Sequence, residues 1–250
     1  MKKRLIRLGA ALALTAALGM AQKVKSQKEA EALQAIQNAP NPDARIAAVD
    51  ALITKFADTE FKGWALTLAA DAAQKKGDSV KTIVYAQSAL EADPKNYQAM
   101  LMISGELART TRENDLDKEE KLARSEKLVN EAIAAVNAAA KPNPQIPDEQ
   151  WAAIKKDLVA QAHEDLGLAA LARKKNDVAI AEFKTAVDSA SNPDPATMVR
   201  LASAYDQAGK FDDSIAVLTK VLAMPDVNPV VKQYAQAEKT RAEQGKSAKK

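Results

Sequence analysis

The sequence predicts an all-α protein made of antiparallel helix pairs stacked in series, and three observations carry that expectation. The first is an internal echo at an offset of 35 residues. Leu166-Gly167 recurs as Leu201-Ala202, Ala170 as Tyr205, Asp177 as Asp212, Phe183 as Leu218 and Ala186-Val187 as Val221-Leu222. A period of this length marks a supersecondary unit too small to bury its own apolar face, so units must stack. The second is composition: 47% of the 250 residues are apolar but only 4% aromatic, with alanine supplying much of the difference. Small side chains suit closely packed helices, whereas strands favour β-branched and aromatic residues. The third is punctuation, since prolines and the few glycines are expected at helix junctions.

The chain opens with Lys2, Lys3, Arg4 and Arg7, an apolar run from Leu8 to Leu18, then Gly19-Met20-Ala21. That is the layout of a secretory signal peptide over 1–21, with cleavage between Ala21 and Gln22. The apolar run is shorter than the ~20 residues a spanning helix needs, which disfavours a retained anchor. Removing those four cations takes the formal net charge from +3 to −1. The mature chain therefore lacks the basic balance a nucleic-acid partner would demand. There is no cysteine, so disulfides, zinc–thiolate sites and a lipidated N-terminal cysteine are excluded. Export across an inner membrane to a bacterial periplasm is the expected location, with no stable membrane span in the mature form.

The mature chain divides into a repeat region over 22–245 and a basic tail over 246–250. An irregular pair occupies 26–57: Ala30, Leu33, Ile36 and Ala39 form one helical face before Pro40, and Asp43 caps a helix carrying Ile46, Val49, Leu52, Ile53 and Phe56. A unit at about 63–96 follows, with Leu66, Ala69, Ala70 and Ala73, a turn at Gly77-Asp78, then Ile83, Ala86, Ala89 and Leu90. The next unit, 97–147, is enlarged. Its helices cover about Tyr97–Arg109 and Lys118–Ala139, and Pro142, Pro144 and Pro147 make a rigid loop. A helix from near Asp148 is expected to run to about Lys174, opening the unit at 148–193; the unit at 195–228 follows, and a capping helix over 230–243 closes the array.

These spacings resemble the tetratricopeptide repeat (TPR) family over the units at 63–96, 160–193 and 195–228. Leu166-Gly167 matches the large–small pair of the first helix, and Ala179, Phe183 and Ala186 the second. Leu201-Ala202, Tyr205, Gly209, Phe211, Ser214 and Leu218 match the following unit. Lys174 departs from the pattern, standing where the turn glycine belongs. The resemblance implies a right-handed superhelical solenoid, and a partner-binding groove lined by the first helix of each pair. Carried over by position, that groove comprises Trp64, Thr67, Asp71 and Gln74, then Leu101 and Gly105, then Gln161, Glu164 and Leu168, then Val199, Ser203 and Asp206. TPR clamps for chaperone C-termini use Lys, Arg and Asn there; the absence of Asn at these positions argues against that ligand.

Catalytic parts are missing from the sequence. The sole histidine, His163, is expected to be a packed helix residue rather than a base or metal ligand, and neither a metal nor another cofactor is anticipated. Adjacent carboxylates such as Glu164-Asp165 and Asp212-Asp213 point in different directions on a helix and form no acid/base pair. The expectation is therefore a non-catalytic interaction scaffold that binds a protein or peptide. Its rivals are a self-associating structural envelope protein and a small-ligand binder that uses the insertion at 140–151, beside Trp151.

Overall fold

In the computed structural model, which describes residues 23–248, every regular element is helical. The expected signal segment with its Ala21/Gln22 junction lies outside these residues. The chain divides into two compact units. One runs up to Asn96 and includes Asn137–Lys155; the other comprises Tyr97–Val136 and the chain from Lys156 onward.

The first unit begins with α1 (Gln27–Gln37), capped by the Ser26 side chain, which accepts from the Glu29 amide. In α2 (Pro42–Lys55) the cap is Asn41 rather than the expected Asp43. Proline occupies the first helical position, where its missing N–H costs nothing, and Asp43 sits in the positively polarised first turn. Ala30 is exposed, so the buried face of α1 is Leu33 and Ile36, narrower than its apolar letters suggest. Glu29 lies between α1 and the following segment; it accepts from the Lys25 amide at 2.6 Å and from the Thr59 hydroxyl at 2.6 Å. The helices α3 (Lys62–Lys75) and α4 (Ser79–Ala92) pack as a close antiparallel pair, with Ala65, Ala69, Ala70, Ala72 and Ala73 of α3 all buried. Tyr85 of α4 donates to Asp50 of α2 at 3.0 Å, and burial with that carboxylate beside it pushes the phenol up to about 12. Trp151 is buried in the 137–155 segment, with the Lys155 ammonium 5.5 Å from its ring centre.

The second unit contains α5 (Tyr97–Thr110), α6 (Lys118–Ala138), the body of α7 (Asp148–Ala172), α8 (Asn176–Ser189), α9 (Pro195–Gln207), α10 (Phe211–Ala223) and α11 (Pro229–Ala248). The long helices from Lys118 and Asp148 both form as the spacing predicts. α11 continues five residues beyond the expected 243, however, and so takes in Lys246, which pairs with Asp212 of α10. The start of the expected basic tail is therefore folded cap.

Three helix ends share one geometry. After α3, Gly77 has φ 74° and the Asp78 amide bonds back to the Ala73 carbonyl. After α9, Gly209 has φ 70° and the Lys210 amide reaches the Tyr205 carbonyl. After α7, Lys174 takes the same left-handed conformation at φ 61°, with the Lys175 amide on the Ala170 carbonyl. Each turn satisfies carbonyls that the helix end leaves orphaned.

The expectation that glycines sit at junctions fails elsewhere. Gly63, Gly105, Gly167 and Gly245 lie inside helices. At Gly167 the reason is contact: a Cβ would stand 2.7 Å from the buried Phe183 ring, so only glycine lets α7 approach α8 this closely. The core follows from that approach. Ala170, Ala179, Phe183, Leu201 and Ala204 form one buried cluster, and Met198, Ala202, Leu218, Val221 and Ala235 form the next along the stack.

Candidate partner-binding face

The first helices of successive pairs carry the residues expected to line a groove, and the structure separates these into usable and buried positions. In the first unit, α3 holds Trp64, Asp71 and Gln74 half-buried. Trp64 keeps its indole Nε1 buried without a hydrogen-bond partner, and Asp71 pairs with Lys75 one turn on at 2.5 Å. Thr67 is only 3% exposed; its hydroxyl donates to the Gly63 carbonyl and accepts from the Asn96 amide nitrogen. A partner has no access to it.

The second unit corrects two more positions. Leu101 is 2% exposed and Gly105 is buried. At Gly105 a Cβ would stand 2.9 Å from an Asp165 carboxylate oxygen and 3.0 Å from the Arg109 guanidinium nitrogens. The space belongs to a polar network that the residue-by-residue reading did not anticipate. The Ser104 hydroxyl donates to Asp165 at 2.7 Å, Ser125 of α6 donates to the Ser104 carbonyl at 2.9 Å, and Arg109 bonds Glu106 at 2.8 Å. Asp165 is wholly buried, and desolvation pushes its carboxyl up to about 7 against the pull of the Ser104 hydroxyl and the Arg109 charge.

The open part of the second unit lies on α7 and α9. Gln161 is exposed. Glu164 accepts from the Thr197 hydroxyl at 2.7 Å and from Arg200 at 2.6 Å, which ties α7 to α9. Thus Glu164 and Asp165, adjacent in sequence and about 100° apart around the helix, serve different neighbours, α9 and α5. Beside Gln161 and Glu164 lies a cleft of about 160 Å³, walled by Ala160, Ala186 and Val187 and rimmed by Asp157 and Asp194. Ser203 is half-buried, whereas Leu168 and Val199 lean on the core clusters and Asp206 points into the α9–α10–α11 junction. His163 bonds Glu182 of α8 at 2.7 Å. Among the described residues, no group of three or more His, Cys, Asp or Glu side chains is placed to hold a metal ion, and no helix is long and apolar enough to cross a membrane.

Close helix pairs, left-handed turns between them and small residues at the crossings define an all-α fold of TPR-like helix pairs. Residues 195–226, covering α9 and α10, match the tetratricopeptide repeat family model. A thermophilic TPR protein from Thermus thermophilus has a similar solved structure, with a TM-score of 0.57 and 16% identity; the match covers 84% of this chain and 98% of that one. A tetratricopeptide repeat protein from Parabacteroides merdae aligns more loosely, with a TM-score of 0.44, 16% identity, and 89% and 93% of the two chains covered. No match was found among curated proteins. At this identity the likeness establishes the fold alone.

Proposed function

We propose that this protein is an exported, non-catalytic scaffold that holds a protein or peptide partner against the first helices of its repeats. The observation that carries the reading is the accessible strip of α7 and α9. There Gln161 and Ser203 offer unlike polar groups, and the Glu164–Thr197–Arg200 bridge fixes the backbone beneath them. A preformed face binds without first having to order itself. The N-terminal sequence pattern supports export, and the even charge of the mature chain favours a mixed polar partner over nucleic acid.

The test is crosslinking in native envelopes of the source cells, followed by identification of the linked chains. The Gln161→Arg and Ser203→Arg variants should each cut recovery of a specific partner by about tenfold, equivalent to ~1.4 kcal/mol. Because neither residue belongs to a buried cluster, both variants should keep their helical content. Undiminished capture of every partner by the double variant would rule this face out.

A further inference from the structure

The junction of α9, α10 and α11 holds acidic groups in a setting that carboxylates normally avoid. The Asp206 side chain is 6% exposed, and neither of its oxygens has a hydrogen-bond partner. From α10 the buried Ser214 hydroxyl faces it, close enough to draw on its charge without closing a well-formed hydrogen bond. α11 brings Glu238, one of whose oxygens is buried and unpaired, and Arg241, whose Nε is 3.8 Å from Asp206. Arg241 is shared rather than dedicated to Asp206, because its guanidinium also donates to the other Glu238 oxygen. At the rim, Lys246 of α11 is paired with Asp212 of α10 and adds no net charge.

A buried carboxylate and a half-buried one thus share one exposed cation, leaving a net negative charge with buried oxygens that lack a partner. Such a group is costly to keep ionised, and the simplest remedy is a proton. We propose that α11 docks on α9 and α10 over a protonated Asp206, so that the cap is secured while Asp206 keeps its proton beside Glu238 and Arg241 and loosens when it ionises. Burial, with the Glu238 charge adding to it, raises the Asp206 carboxyl above its ordinary value against the pull of Ser214 and Arg241. With α11 undocked, Asp206 would face water and ionise normally. The docked state therefore binds the proton more tightly, and rising pH favours undocking. Opening would bare Met198, Ala202, Leu218 and Val221, the apolar surface that Ala235 of α11 covers. The cap would become a pH-controlled cover for the last repeat, independent of the partner face on α7 and α9.

Hydrogen exchange of the full chain, corrected for the intrinsic pH dependence of amide exchange, tests this. Protection of the α11 amides between Ala235 and Ala242 should fall by about tenfold as the pH rises from about 4 to about 8, with α3 unchanged. Asp206→Asn should abolish that fall, and Glu238→Gln should do the same should the first variant fold poorly. Equal α11 protection at both pH values in the unmodified chain would overturn the proposal. So would an undiminished fall in both variants, or restoration of protection at high pH by millimolar magnesium or calcium, which would make the occupant a metal ion.

Discussion

Asp165 is the residue whose environment departs furthest from its letter. In sequence it is one of several surface-looking carboxylates, yet it is wholly buried under Gly105 and held by Ser104. Its carboxyl titrates near 7 when folded, against 3.8 ordinarily. Between those values the folded chain holds a proton that the unfolded chain has released. Stability therefore falls as pH rises through this window, and the penalty is complete above about 7. Asp165→Asn retains an acceptor for Ser104 and removes the titration. Urea unfolding should show the unmodified chain losing on the order of 2–4 kcal/mol between about pH 4 and pH 8 from this group, with the variant's profile flatter by a comparable amount. Thr67, Leu101 and Gly105 teach a related lesson. Their repeat positions imply a groove, but whether such a position faces solvent depends on which side chain from a neighbouring helix reaches it. Asn96 covers Thr67, and the Asp165 network fills the space at Gly105.

At the scale of elements, most boundaries were legible because the signals are local. Ser26 caps α1, Asp78 caps α4 and Pro195 opens α9, whereas α2 is opened by Pro42 and capped by Asn41, two residues ahead of the expected Asp43 cap. Each depends on a few neighbouring residues, so the chain announces it directly. The turn after α7 is the informative exception. Lys174 replaces the turn glycine, yet the backbone takes the same left-handed form as at Gly77 and Gly209. Stacking of α7 against α8 holds the turn, and the β-carbon bears the cost. Lys174→Gly should raise stability by about 0.5–1 kcal/mol, read as a higher urea midpoint with unchanged slope. The lost ion pair with Glu113 is largely exposed and offsets little of that gain. The internal glycines mislead for the opposite reason. A helical Gly167 is locally unfavourable, and its purpose is visible only once Phe183 lies across it.

For the whole molecule, the period of 35 residues and the family match at 195–226 agree on the last units, where the repeats are most regular. The proposed export belongs to this scale too, because it concerns the chain's destination and charge rather than any contact. Mature protein recovered from envelopes should begin at Gln22 by N-terminal sequencing, and a chain starting at Met1 there would refute cleavage. The sequence alone determined the helix pairs, their order and the interruption by a longer α6 and α7, since periodicity, caps and proline stops act over a turn or two. Only the tertiary structure decided which first-helix positions stay open, where Asp165 is buried, and that α11 closes over Asp206. Those outcomes depend on residues far apart in the chain meeting across a packed interface, as Ser104 and Asp165 do at a separation of 61. Chain-local patterns carry no record of which side chains will meet that way.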